Sequence, residues 1–252
     1  MIVQRYNIFF TSPFFSYLCG SETKLCIYYI QMNITIIANG SFPTLPSVLS
    51  CLGEADRVVC CDGALEKYLQ WVRRQNPRPV QQVAVVGDGD SLSPALLNEA
   101  LHEGLPISHQ QISEQESNDL SKAVRYAAEH THHLNEPIYV SILGATGKRE
   151  DHTLGNIALL AYYSEHYPLM QFAMVGDYGT FYPVNGLRRF PSYPGQQVSL
   201  FALRSDIPIS VKGLKYPIEN RCLEWLWQGT LNESLGDSFE VKGERVIVFQ
   251  KR

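Results

Sequence analysis

The sequence predicts an α/β protein: a Rossmann-like parallel sheet with helices on both faces, followed by a small C-terminal antiparallel β-sandwich. Three observations carry this. From Asn33 onward, short apolar runs alternate with helical periodicities, the pattern of successive βα units. Each apolar run stops on a glycine or polar residue: NITIIANG at Asn39-Gly40, DRVVCC before Asp62-Gly63, QQVAVV before Gly87-Asp88 and PIYVSIL at Gly144. Beyond about residue 183 the helical period disappears, and short alternating runs separated by Gly and Pro take over, as in an antiparallel sandwich.

Taken in order, residues 1–31 stand apart. IFFTSPFFSYLC is apolar and aromatic but only 12 residues long and interrupted by Pro13, too short to span a bilayer. One arginine precedes it and no small-residue cleavage site follows, which weighs against a secretory signal. Residues 1–31 are expected to be a poorly ordered extension, with Met32 opening the first strand. An α/β domain then covers residues 32–182 and a β-sandwich domain residues 183–252.

Helical spacing marks ALEKYLQWVRR, PALLNEALHEG, DLSKAVRYAAEH and DHTLGNIALLAYYSEH. Ser93 is the expected N-cap of the second, with Pro94 at its first helical position. ISHQQI is a strand before the third helix, and LMQFAMVG is the last strand of the α/β domain. PVNGLRRFPSYPG joins the two domains, and QQVSLFAL, ISVKGL and FEVKGERVIVF supply sandwich strands.

Composition limits the function classes. With 45% hydrophobic residues, 18% charged residues and a net charge of -4, the chain offers neither a polybasic nucleic-acid surface nor a disordered tail. A small-molecule ligand is expected, with no nucleic acid and no membrane. The six cysteines show no CxxC pair or metal-ligand spacing, which fits reduced thiols in a cytoplasmic protein. His130, His132 and His133 fall at a helix end, where they meet the dipole and solvent.

In an open parallel sheet, ligands bind beyond the carboxyl ends of the strands. That rule gathers Asn39, Asp62, Asp88, Asp90 and the loop after Gly144 on one edge. Crowded carboxylates raise one another's pKa and cost stability unless a cation neutralises them. Hard oxygen ligands without Cys or His favour Mg²⁺. In SEQESNDLSKAV, Asn118 or Asp119 caps the next helix, and Asp119 also follows ISHQQI on the same edge. GATGKREDHTLGN sets Gly144, Thr146, Gly147, Lys148, Arg149 and Asp151 between a strand and a helix, an arrangement that favours an anion. Neither a Walker loop nor a GxGxxG fingerprint is present.

These clusters, CDGALEKY (61–68), GDGDS (87–91), QESND (115–119), GATGKREDH (144–152) and GLKYPIEN (213–220), together resemble the thiamine pyrophosphokinase family over residues 32–252. The resemblance implies an ATP- and Mg²⁺-binding α/β domain, a β-sandwich that binds thiamine and dimerises, and a homodimer with active sites between subunits. It implies transfer of pyrophosphate from ATP to the hydroxyethyl group of thiamine, giving thiamine diphosphate and AMP. Asp88, Asp90 and Asp119 match family metal positions, with Asp62 in support. Arg149 would neutralise phosphate, Asp151 would orient it, and Gln115 would lie near thiamine. Three positions depart from the pattern: Asn118 replaces a Thr, Lys148 replaces a Gly, and Ser234 lacks a following Asn. Trp225 and Trp227, alternating along an expected strand EWLWQG, are candidates to stack on thiamine. A DxD turn also describes Mg²⁺-dependent phosphatases, and a non-catalytic thiamine- or nucleotide-binding protein would keep the same fold.

Overall fold

The computed structural model describes residues 32–78 and 81–252; the extension expected over residues 1–31 lies outside the described residues. Six parallel strands form the first half of one large sheet: β1 (Met32–Ile37), β2 (Arg57–Cys61), β3 (Gln82–Gly87), β4 (Ile107–Gln111), β5 (Ile138–Leu143) and β6 (Met170–Gly176). Their spatial order is β4-β3-β2-β1-β5-β6. The chain therefore reverses direction across the sheet between β1 and β5.

Among the described residues, five α-helices cover both faces: α1 (Pro46–Gly53), α2 (Ala64–Val72), α3 (Pro94–His102), α4 (Asp119–Glu129) and α5 (Glu150–His166). Alternation along the strands explains the two layers. Ile34 and Ile36 pack with Leu120, Val124 and Leu160 of α4 and α5, whereas Ile37, Val58 and Cys60 pack with Val48, Leu65 and Ala100 of α1, α2 and α3. Four helices match the sequence periodicities, and the Ser93 hydroxyl accepts the Leu96 N–H at 3.3 Å as the N-cap of α3. The periodicity missed α1. Its PSVLSCLG is eight residues long, without an acid in its first turn or a base in its last, so Pro46 at its start is its main local signal.

The second half is antiparallel: β7 (Gly179–Pro191), β8 (Gln197–Ala202), β9 (Ile209–Lys212), β10 (Ile218–Arg221), β11 (Asn232–Glu233) and β12 (Ser238–Lys251). β7 pairs with β6, Met174 lying opposite Phe181, so the sheet continues without a break. The expected connector PVNGLRRFPSYPG is thus corrected: Pro183–Pro191 are strand residues paired along β12. The ladder to β12 supplies hydrogen bonds that Pro and Gly do not predict locally.

β12 builds the sandwich by serving two layers. Its Glu240–Lys242 segment pairs with β9, while Val246–Gln250 pairs with β8. Between them the β7 pairing shifts register after Gly243, which faces Gly186, and such irregularities bend a strand. Phe190, Leu200, Val211, Phe239, Val241 and Val248 fill the space enclosed. The strand expected over EWLWQG is instead a 3-10 turn, Leu226–Gly229, where the Gln228 side chain accepts the Trp225 N–H at 3.0 Å. Among the described residues no helix is long and apolar enough to cross a membrane.

Candidate active site

The topological switch between β1 and β5 opens a crevice at the carboxyl ends of the strands. A cavity of about 330 Å³ lies there, lined by Asn39, Asn118, Asp119, Lys148, Arg149 and Asn156 among others. Its wall is made by zipping the loop after β1 to the loop after β5. The Gly40 N–H donates to Gly144 O at 2.6 Å, the Ser41 N–H to Thr146 O at 2.8 Å, and the Ser41 hydroxyl to Gly147 O at 2.8 Å. Lys67 of α2 donates to Asn39 Oδ1 at 3.3 Å and to Gly40 O. Burial, with Lys148 nearby, lowers the Lys67 pKa below the usual ammonium range. Beyond the wall, Asp177 fastens the start of α1, accepting the Thr44 N–H at 2.9 Å and the Leu45 N–H at 3.1 Å.

Three carboxylates converge beside the cavity. One oxygen from each of Asp62, Asp88 and Asp119 lies within 4.8 Å of the others. Asp62 directly follows β2 and is 1% exposed. Its Oδ2 accepts the Gly89 N–H at 2.7 Å, whereas Oδ1 is buried with no hydrogen-bond partner. Burial raises the Asp62 pKa, the Gly89 N–H offsets part of this, and the charges of Asp119 and Asp88 push it further up. Asp88 is held below the ordinary carboxylate range, first by the Asp90 N–H at 3.1 Å and then by the Gln115 amide at 3.3 Å.

Two glycines make the convergence possible. A β-carbon at Gly87 would stand 2.2 Å from the Asp62 carboxyl carbon, so no other residue fits while Asp62 keeps its position. Gly89 has φ +90°, a left-handed conformation that aims its N–H at Asp62.

Asp62, Asp88 and Asp119 come together, while Asp90 is exposed beside them and outside the converging trio. Asn118 caps α4, accepting the Ser121 N–H at 2.9 Å, and its amide donates to Asn156 Oδ1 at 3.2 Å. Lys148, Arg149 and Thr146 line the cavity; Gly144 and Gly147 shape its loop. Arg149 and Asp151 form an exposed bidentate pair at 2.5 and 3.1 Å, and that hydrogen bonding brings Asp151 down to about 2. Trp225 and Trp227 are exposed, at 63% and 69%, and neither lines the cavity. Ser234 is buried in the sandwich, 2.7 Å from the Ser192 hydroxyl, and does not line the cavity either.

Sequence reasoning missed three residues. Lys122 of α4 is buried against Asp88 and Asp119. Asn156 donates to Ala145 O at 2.8 Å while accepting from Asn118, and Lys67 braces the wall. The available signal for Lys122 was its place within the buried stripe of α4, beside Ala123 and one turn before Tyr126.

The donor set is all hard oxygen, and Asp62 Oδ1 lacks a partner in a place where burial without one is costly. Both features fit a divalent cation. In the cavity lining, Lys148, Arg149 and the adjoining amides suit an anion.

Comparison with known proteins converges on one group. A family model described as "Thiamin pyrophosphokinase, catalytic domain" matches residues 48–171, and another, "Thiamin pyrophosphokinase, substrate-binding domain", matches residues 179–249. The fold is similar to thiamin pyrophosphokinase from Candida albicans, at 19% identity, TM-score 0.72, covering 87% of this chain and 92% of that one. The yeast enzyme matches at 17% identity and TM-score 0.72, covering 88% and 87%. The Bacillus subtilis enzyme matches at 20% identity and TM-score 0.66, covering 86% and 98%. No curated protein sequence matches the chain.

Proposed function

The chain belongs to the thiamin pyrophosphokinase family and is an enzyme of that type, and on this premise we propose that it transfers the terminal pyrophosphoryl group of ATP to the hydroxyethyl oxygen of thiamine. The products are thiamine diphosphate and AMP. The observation that carries the reading is that Asp119, one of three converging carboxylates, lines the same cavity as Lys148 and Arg149.

Asp62, Asp88 and Asp119 would hold Mg²⁺, with exposed Asp90 beside them. Bound there, Mg²⁺ would neutralise phosphate charge, which pyrophosphoryl transfer needs more than covalent help. Lys148 and Arg149 supply positive charge in the cavity lining, with Asn39, Thr146 and Asn156 as polar lining. Asp151 orients the Arg149 guanidinium through their bidentate pair. In the transfer, the thiamine oxygen forms a bond to the β-phosphorus, the bond from that phosphorus to the α-bridging oxygen breaks, and the alcohol proton is released.

Gln115, held against Asp88, would contact thiamine beside the acids. Exposed Trp225 and Trp227 offer faces for its cationic ring. Leu231 and Leu235 in the same stretch of chain are exposed as well, and exposed apolar side chains of this size are what a second copy covers, which supports a homodimer with its sites between subunits. Residues 32–182 would carry ATP and metal, and residues 183–252 thiamine and the dimer contact. Free Cys51, Cys60, Cys61 and Cys222 suit a cytoplasmic enzyme.

Incubation with ATP, Mg²⁺ and thiamine tests the proposal by product analysis. AMP and thiamine diphosphate in equal amounts are expected. Free phosphate would point to a hydrolase, and binding without any product to a non-catalytic protein.

A further inference from the structure

Lys122 is unusual for a helix lysine. Such side chains are ordinarily solvated, and burying an ammonium costs stability unless it is paired. Lys122 is 1% exposed, with Nζ 3.3 Å from Asp119 Oδ1 and 3.7 Å from Asp88 Oδ2. Those two acids come from separate elements, the turn after β3 and the first turn of α4. Asp62, the third acid, meets no such cation: its Oδ2 takes the Gly89 N–H and its Oδ1 stays unpartnered.

We propose that Lys122 is a positioning residue that sets the charge of the metal site. Resting on the reading above that this cluster holds a divalent ion, the inference concerns why the ion is divalent. Three carboxylates and one ammonium leave a formal charge of -2, which a single divalent cation cancels. Lys122 draws Asp88 and Asp119 together before the ion arrives and leaves Asp62 Oδ1 as the free acceptor. Asp90 lies outside the trio and is exposed, so its charge is screened by solvent.

The direction of the effect follows from Coulomb's law. A neutral side chain at 122 makes the site one charge more negative, and a cation gains from that in proportion to its own charge. A trivalent ion therefore gains more than a divalent one. Without any metal, the same change leaves three acids repelling one another.

The test uses the full chain with metal alone and no nucleotide, comparing Tb³⁺ luminescence titration with Mg²⁺ titration. Lys122→Met should raise the ratio of Tb³⁺ to Mg²⁺ affinity by roughly tenfold or more, lower the melting temperature in EDTA, and enlarge the rise that Mg²⁺ produces. Lys122→Arg should return the ratio towards that of the parent. An unchanged ratio with an unchanged Mg²⁺ response in Lys122→Met would overturn the proposal. Should that variant fail to fold, the charge-balanced Lys122→Met/Asp119→Asn is expected to fold, to bind both ions more weakly for want of the Asp119 carboxylate, and to keep the parent's ratio of Tb³⁺ to Mg²⁺ affinity. If this double variant is also unfolded, Lys122 serves packing and the proposal falls. A parent protein that binds neither ion would instead remove the metal site itself.

Discussion

The carboxyl edge of the parallel sheet and the core of the sandwich bury opposite kinds of side chain. At the edge, Asp62 and Lys122 are each 1% exposed, and Asp62 keeps an oxygen without a partner. In the sandwich, Phe239 and Val241 are buried to the same degree among Phe190, Leu200 and Val211. Burying apolar area stabilises the fold, whereas burying like charges destabilises it until a ligand compensates. On the proposed function, the edge serves binding and the sandwich serves stability.

The largest effect should separate these roles. Asp88→Asn is expected to lower kcat by about 10²–10³-fold, the scale of losing one electrostatic stabiliser, while the protein still folds. Asp90→Asn should act in the same direction. Near-normal turnover in both variants would break the comparison at the edge.

The mirror experiment belongs to the sandwich. Phe239 stacks on Phe190 with ring centroids 5.0 Å apart, so Phe239→Ala should cost about 3–5 kcal/mol of stability. Below its melting temperature the variant should keep the parent's KM for ATP. A change in KM without loss of stability would place binding in the core.

Gly87→Ala sharpens the boundary, because it is a packing change inside the edge. The new methyl collides with the Asp62 carboxylate, so about 1–3 kcal/mol of strain is expected. Mg²⁺ affinity, read by calorimetry, should fall with it. Strain without any change in metal affinity would show that Asp62 is not a ligand.

Most of the sheet was legible because strand ends and helix periods follow from local chemistry. Ser93-Pro94 starts α3, and the apolar runs of β1, β2, β3 and β5 end at the edge that gathers the acids. What escaped depends on distant partners. β7 contains Pro183 and Gly186 and is a strand through its pairing with β12. The Trp225 segment turns because Gln228 caps it. Within the site, the acids were visible as residue types on one edge, but the central place of Asp62 depends on Gly87 leaving room for it. Lys122 was hidden because a charge on a helix reads locally as a solvated face, and only the register of α4 against β2 and β3 brings it to the acids.

The central claim, that this edge gives up stability to hold a cation, is tested most directly by melting Asp62→Asn beside the parent protein in EDTA and in Mg²⁺. Burial raises the Asp62 pKa in the folded state. The unfolded chain therefore ionises first, and the cost of Asp62 grows as pH rises through the interval between the two values. In EDTA at neutral pH, Asp62→Asn should melt higher than the parent, the gap closing as pH falls towards about 4. Mg²⁺ should raise the parent's melting temperature and leave that of the variant nearly unchanged. A variant that melts lower than the parent in EDTA, yet responds to Mg²⁺ as the parent does, would contradict the account.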